Sequence, residues 1–322
     1  MATVTSSAQG RGAKREILRA AVVGTGTMGP GMGAVLARAG LSVALYDTSA
    51  EALERAQAGT KIADGVLDRL ETPRVAGGGV RYSDDLGDAV KDADMVLEAV
   101  PEKLEIKHQV LAQLEGLVAP DTILASNTSG IPITRIAEGC AHPGRVLGMH
   151  WSNPPHLIPM IEVIPGERTD AAVVDDAVAL VERVGYEAVV EREVPGFVEN
   201  RILYAIMREA VDLVDRGIVD ADAMDRCVRW GIGYKLAVIG PMELLDMAGL
   251  DIYQAVSSYL NKDLSGATET SKTITDLTAE GRLGMKTGGG LYEYTPESID
   301  RLRAERARKL VAVRKALSQE PK

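Results

Sequence analysis

From Ile17 to about Glu191 the chain alternates short β-rich apolar runs with longer amphipathic stretches, and after Pro195-Gly196 the strand-like runs stop. That alternation constrains the fold more than any other feature. Strands joined by helices form parallel crossovers, and a parallel sheet needs helices on both faces. The pattern predicts strands at 18–23, 41–47, 94–100, 122–126 and 145–150, with further runs at Met160–Ile164 and Glu187–Val190. Helices are predicted at Met28–Ala39, Ala50–Leu70, Leu104–Val118, Ile133–Glu138 and Ala171–Val184, where apolar residues recur three and four apart. The Gly-rich pieces Ala76–Gly79 and Thr287–Gly290 are read as loops.

Beyond the boundary, helical patterns run over Phe197–Arg216, 221–229, 241–247, 251–260, 270–281 and Ser298–Leu317. The expected architecture is an α/β, doubly wound, mostly parallel sheet of Rossmann type at 17–193. An all-α domain at 194–322 follows it, and residues 1–16, without the apolar segment of a secretory signal, form a disordered tail. A chain of 322 residues suits two such domains.

Composition excludes several function classes. The net charge of −10 would repel phosphate backbones and anionic headgroups, so neither nucleic acid nor a membrane surface is an expected partner. No apolar run approaches the roughly 20 residues of a bilayer span. Two cysteines, Cys140 and Cys227, stand outside any CxxC or Cys/His cluster, which argues against disulfides and zinc and for a reducing cytoplasm, with no metal expected.

The first strand runs into Gly24-Thr25-Gly26-Thr27-Met28-Gly29, the spacing that lets a tight turn present a helix N-terminus to a pyrophosphate. A glycine-rich turn without a ligand is the plainer alternative. Eighteen residues past Gly29, the second strand ends in Asp47, where a carboxylate would accept adenosine ribose hydroxyls and repel the 2′-phosphate of NADP. NAD is therefore the expected cofactor. A helix N-cap is the competing role for Asp47, although Thr48 and Ser49 offer caps of their own.

Val146–Met149 reads as a strand delivering His150 to the ligand-binding edge, and twelve residues later Glu162 sits inside an apolar run, where a carboxylate needs a partner. Pairing the two explains both: the carboxylate fixes the imidazole tautomer, and His150 takes a hydroxyl proton as hydride leaves the same carbon. A hydrogen-bonded core histidine is the alternative. His108, His142 and His156 read as surface residues. Ser126-Asn127-Thr128-Ser129 is either a group of substrate-oxygen donors or an ST-turn before the next helix. Asn200, in the first turn of the helical domain, points back toward the cleft on this reading.

Together these pieces resemble the 3-hydroxyacyl-CoA dehydrogenase family. The resemblance runs from about Ile17 to the C-terminus through the turn at 24–29, Asp47, Glu98–Glu102 with Lys107, Ser126–Ser129, His150/Asn153-Pro154-Pro155/Glu162 and Pro195–Arg201. It continues through Gly240-Pro241, Leu245-Asp246, Gly249–Asp251 and Lys286-Thr287-Gly288. It implies His150 as general base, Glu162 as its orienting partner, Ser129 and Asn200 on the reacting oxygen, and Asn153 as support. Glu102, Lys107 and Lys286 would contact or organise the nicotinamide half of NAD. Two positions depart from the family pattern: Glu199 replaces an apolar residue, and Ser152 an aromatic or apolar one.

Acyl-CoA members are expected to carry a long, lysine-rich helical pair after the second strand. Here 48–83 is shorter and holds five basic against five acidic residues, which favours a small free carboxylate as substrate. The segments His150–His156, Pro195–Arg201 and Trp230–Lys235 resemble one branch of the family that oxidises an aldehyde on a small pyridine carboxylate. Neither cysteine lies in a motif near the nicotinamide, so His150 would act on the aldehyde hydrate rather than through a thiohemiacetal. Arg201 and Lys235 are the candidates for holding the substrate carboxylate. L-3-Hydroxyacyl-CoA, gulonate- or carnitine-type hydroxy acids, and a non-catalytic NAD-binding role are the alternatives. The resemblance also implies a homodimer.

Overall fold

A computed structural model describes residues 15–318. The chain divides into two compact units, the first ending at Asn200 and the second beginning at Arg201.

The first unit is built on β1 (Arg19–Val23), β2 (Ser42–Tyr46), β3 (Gly79–Ser83), β4 (Met95–Glu98), β5 (Ile123–Ser126), β6 (Val146–Trp151), β7 (Met160–Pro165) and β8 (Glu187–Val190). They form one sheet in the order β3-β2-β1-β4-β5-β6-β7-β8. Pairing is parallel from β3 to β6, antiparallel at β6–β7 and parallel again at β7–β8. Helices α1 (Gly29–Arg38), α2 (Ala50–Arg69), α3 (Leu86–Val90), α4 (Leu104–Glu115), α5 (Ile133–Ala137) and α6 (Ala171–Arg183) connect them. Two apolar clusters pack against the sheet. One joins α1, α2 and α6 around Met32, Leu36, Leu45 and Leu67, and the other gathers Leu111, Leu114, Ile133, Ile136 and Phe197. The strands of such a sheet are buried along their length, as the fully buried Met95–Glu98 and Ile123–Ser126 are.

The expected strands are present within one or two residues at each end. The reading missed β3, because its Gly-rich approach looks like a loop and the strand itself, GVRYS, is only half-buried at the sheet edge. Its companion helix α3 is five residues long, too short to show a helical period. The region 48–83 holds the single 20-residue helix α2 and β3, with no second helix. Of the expected tail, residues 1–14 lie outside the described residues. Arg15 is a correction to it: its N–H donates to Asp176 at 2.9 Å and its guanidinium meets Asp94 at 3.3 Å, so it is tied to the sheet unit.

In the second unit, α7 (Phe197–Asp215, begun in the first) is followed by α8 (Ala221–Cys227), a π-helical turn at Val228–Gly233, α9 (Tyr234–Leu236), α10 (Pro241–Ala248), α11 (Leu250–Leu260), α12 (Lys272–Ala279) and α13 (Pro296–Leu317). Thr295 and Ser298 cap α13 reciprocally. Among the described residues of this unit, only Gly289 and Gly290 are buried. Large apolar side chains such as Tyr204, Trp230, Met247, Leu250 and Tyr259 are exposed.

Candidate active site

In the parallel part of the sheet the carboxyl ends of β1, β4, β5 and β6 share one edge, and each hands the chain to a segment that carries polar groups. The order reverses at β1–β4, which opens a crevice at that edge.

The turn after β1 is shaped by its glycines. Gly24 has φ +104°, and a Cβ there would lie 2.6 Å from the Ala99 carbonyl oxygen; a Cβ on Gly29 would lie 2.5 Å from the oxygen of Gly24. These two glycines are required by the protein's own packing. Gly26 has no neighbour within 4 Å, so nothing in the protein demands a missing side chain there. The space beside it is open to a group approaching from outside. Thr27 beside it is exposed and Met28 half-buried. The helix α1 that follows has no side-chain cap and no acid in its first turn, so its leading N–H groups and positive dipole end face the turn without an internal anion. The residues fit a dinucleotide pyrophosphate.

Asp47, at the tip of β2, is committed on one side. Thr25 donates to its Oδ2 from the backbone N–H at 2.9 Å and from the hydroxyl at 2.8 Å, while Ser49 N–H reaches Oδ1 at 3.3 Å. Partial burial pushes this carboxyl up, but the hydrogen bonds from Thr25 and Ser49 outweigh it and hold it below the usual range. The cap of α2 is Ser49, which accepts from Ala52 N–H. Asp47 therefore braces the glycine turn with Oδ2, while Oδ1, which accepts only the longer bond from Ser49 N–H, keeps capacity for a hydroxyl donor.

After β4, Glu98 is sealed in the interior. It accepts from Lys107 Nζ at 2.9 and 3.1 Å, from Ser126 Oγ at 2.6 Å and from Val100 N–H at 2.8 Å. Lys107 also meets Glu102 at 3.1 Å. Glu102 in turn accepts from Thr128 Oγ1 at 2.5 Å and from Ser129 N–H at 2.8 Å. Being 1% exposed, Lys107 organises the edge rather than touching a ligand. The buried Thr128 hydroxyl accepts from Ile131 N–H at 3.0 Å, so the Ser loop is an ST-turn leading to α5.

His150 and Glu162 are directly opposite each other in the antiparallel β6–β7 pair. Facing residues of adjacent strands share a side of the sheet, and the result is a bond of 2.6 Å between His150 Nδ1 and Glu162 Oε2. The Phe197 ring packs against the imidazole, centroids 5.8 Å apart at 51°. Phe197 is fully buried with φ +52°, a left-handed conformation that a bulky residue adopts only under the constraint of its surroundings. Gly196 just before it rests on Gly130, where an added Cβ would lie 2.9 Å from the Gly196 Cα. This close approach seats the first turn of α7 on the Ser loop, and Asn200 Nδ2 donates to the Ser129 carbonyl at 2.8 Å. Ser129 and Asn200 are thus neighbours, with the Ser129 side chain exposed.

The structure adds contacts that the sequence reading did not assign. Asn127 Oδ1 accepts from Trp151 N–H at 2.9 Å and ties the end of β5 to that of β6. Glu199 N–H donates to Glu162 Oε1 at 2.7 Å, and its carboxylate accepts from the Ser152 hydroxyl. The two departures from the family pattern are bonded to one another. Glu191 accepts from Val198 N–H at 3.1 Å, and burial together with the charge of Glu162 pushes its carboxyl up. Asn153 is exposed and joined to Pro154 by a cis peptide bond. Arg201, Lys235 and Lys286 belong to the helical unit, where each is exposed.

The remaining histidines stand apart from this pair. His142 is exposed, whereas His108, expected at the surface, is half-buried and bonds the Arg135 carbonyl at 2.8 Å. His156 is half-buried rather than at the surface, with Nδ1 close to where a Cβ on Gly31 would lie. Cys140 is buried, which with the nearby Glu115 pushes its thiol up to about 11, so it is not a nucleophile at neutral pH.

The NAD-binding domain model of 3-hydroxyacyl-CoA dehydrogenase matches residues 19–194, and the C-terminal domain model of that enzyme matches 196–294. The chain belongs to the 3-hydroxyacyl-CoA dehydrogenase family. It is an NAD-dependent dehydrogenase. It is 54% identical over 300 residues to the 5-formyl-3-hydroxy-2-methylpyridine 4-carboxylate 5-dehydrogenase of Mesorhizobium japonicum, covering 92% of this chain and 97% of that one. L-Carnitine dehydrogenase of Streptomyces griseus is 37% identical over 74% of this chain and 71% of its own. Among solved structures, a 5-formyl-3-hydroxy-2-methylpyridine 4-carboxylic acid 5-dehydrogenase, an NAD+ dependent dismutase, superposes with TM-score 0.93 at 53% identity over 95% of this chain and all of that one. The (S)-3-hydroxybutyryl-CoA dehydrogenase of Ralstonia eutropha superposes with TM-score 0.70 at 31% identity, covering 87% of this chain and all of that one. Among the described residues no helix is long and apolar enough to cross a membrane.

Proposed function

We propose that this dehydrogenase oxidises the aldehyde of a small pyridine carboxylate, 5-formyl-3-hydroxy-2-methylpyridine 4-carboxylate, as its hydrate. The observation that carries the reading is the 2.6 Å His150–Glu162 pair in a chain 54% identical to an enzyme of that name. NAD supplies the hydride acceptor. Gly24, Gly26, Thr27, Met28 and Gly29 with the N-terminus of α1 hold its pyrophosphate, Asp47 its ribose and Glu102 the nicotinamide side, with the buried Lys107 holding Glu102 in place. With Nδ1 bonded to Glu162, His150 presents Nε2 as a base, and the buried carboxylate stabilises the imidazolium once it takes a hydroxyl proton. Ser129 and Asn200 hold the reacting oxygen, and Asn153 supports them. Cys140, buried with a raised thiol, offers no thiohemiacetal route.

A CoA thioester fits the surface after β2 less well. Three of the five basic residues there are ion-paired: Arg55 with Glu51, Arg74 with Asp64 and Arg81 with Asp88. We further infer a homodimer, supported by the apolar side chains that the helical unit leaves exposed, and a reducing cytoplasm, supported by the free thiols Cys140 and Cys227.

The test follows NADH absorbance with the pyridine aldehyde, acetoacetyl-CoA and a hydroxy-acid panel, with His150→Ala as control. Saturable turnover of the aldehyde that is lost in His150→Ala is expected. A far higher kcat/KM for acetoacetyl-CoA, or activity surviving in His150→Ala, would overturn the reading.

A further inference from the structure

Oxidising an alcohol releases one proton, whereas oxidising an aldehyde with water to a carboxylate releases two. His150 has one ring nitrogen to offer, because Nδ1 is held by Glu162 at 2.6 Å. It accepts one proton per turnover. The second proton leaves by another route, to water or through a side chain, and this inference rests on the aldehyde reading above.

Ser152 and Glu199 lie beside the His150–Glu162 pair. Ser152 follows His150 by two positions, and its hydroxyl donates to Glu199 Oε1. The other oxygen of Glu199 lies 3.9 Å from His150 Nδ1, and the Glu199 N–H fixes the first turn of α7 to Glu162. Glu162 is closed off from water at 1% side-chain exposure, but Glu199 is 29% exposed and can pass a proton outward. Glu199 Oε2 and Glu191 Oε2 are both buried without a hydrogen-bond partner.

We propose that Ser152 and Glu199 form a relay for the second proton of aldehyde oxidation. Water adds to R–CHO to give R–CH(OH)2. The C–H electron pair leaves with its hydrogen to NAD+, one hydroxyl proton goes to His150 Nε2, and R–COOH remains. Its proton passes to the Ser152 hydroxyl as that hydroxyl gives its own to Glu199, and R–COO− departs. The opposite half-reaction, reduction of the same aldehyde by NADH, takes up a single proton and bypasses the relay.

Rates of NAD+ reduction and of NADH oxidation with the same pyridine aldehyde are to be compared in wild type, Glu199→Gln, Glu199→Asp and Ser152→Ala. Glu199→Gln keeps the backbone bond to Glu162. The ratio of oxidation to reduction is expected to fall about 10²-fold in Glu199→Gln, with partial recovery in Glu199→Asp and a smaller fall in Ser152→Ala. Titration calorimetry of the product acid in two buffers of different ionisation enthalpy is expected to show proton uptake that Glu199→Gln loses. An unchanged ratio, equal loss in both directions, or the same proton uptake in Glu199→Gln would overturn the relay while leaving the aldehyde reading intact. Failure of the wild type to oxidise the aldehyde would overturn both.

Discussion

At the scale of single residues, the charge on Glu162 is separable from its shape. Glu162→Gln retains a hydrogen-bonding group opposite His150 but removes the charge that stabilises the imidazolium, and an amide can turn its NH2 toward Nδ1 and select the wrong tautomer. The expected result is a fall in kcat/KM of about 10²-fold with little change in the Kd of NAD, read by steady-state kinetics and by fluorescence titration. Asp47 gives a pH-dependent counterpart. Its pKa is depressed in the folded protein, so its stabilising bonds to Thr25 are fully present above the unfolded carboxyl value and are lost as pH falls through the folded one. The difference in Tm between wild type and Asp47→Asn should therefore be largest near neutral pH and vanish in acid. Partial exposure screens the carboxylate, so about 1 kcal/mol is the scale of the effect.

At the scale of elements, β4, α4 and the Ser loop are joined by one buried cation. Lys107 of α4 neutralises Glu98 at the end of β4 and holds Glu102, which holds the Ser129 backbone. Lys107→Met removes the cation and leaves Glu98 charged in a site with 0% exposure, so a loss of about 3–5 kcal/mol is expected from thermal or urea unfolding. Lys107→Met/Glu98→Gln should recover part of it. The same logic explains how far the sequence could be read at this scale. Glu162 could be assigned to His150 because a lone carboxylate in an apolar run demands a partner, and an antiparallel register supplies it. Glu98 stands in an equally apolar run, but its partner Lys107 was named only through the family resemblance, since a lysine in an amphipathic helix ordinarily faces solvent. Phe197, whose ring lies against His150, reads in the sequence as an ordinary helix-opening apolar residue.

For the whole molecule, the contrast between the two units carries a prediction. The sheet unit encloses continuous apolar clusters, whereas the helices beyond Arg201 expose Tyr204, Trp230, Met247, Leu250 and Tyr259. Helices of this length draw most of their stability from packing an apolar face, and a second copy offers that face at equal concentration. Sedimentation or light scattering should give about twice 34.3 kDa, and Tm should rise with protein concentration. A monomer mass at micromolar protein would exclude the homodimer.

The alternation of strand and helix, the glycine turn, Asp47 and the twelve-residue step from His150 to Glu162 were all legible in the sequence, because each depends on local periodicity or on a residue type that is costly where it stands. The edge strand β3 escaped, since half-burial gives it no alternating pattern. Only the tertiary structure decided that Asp47 spends one oxygen on Thr25, that Lys107 is sealed beneath the ligand edge, and that Ser152 meets Glu199 across 47 residues of chain. Those contacts come from strand register and from the docking of Gly196 on Gly130, and linear spacing records neither.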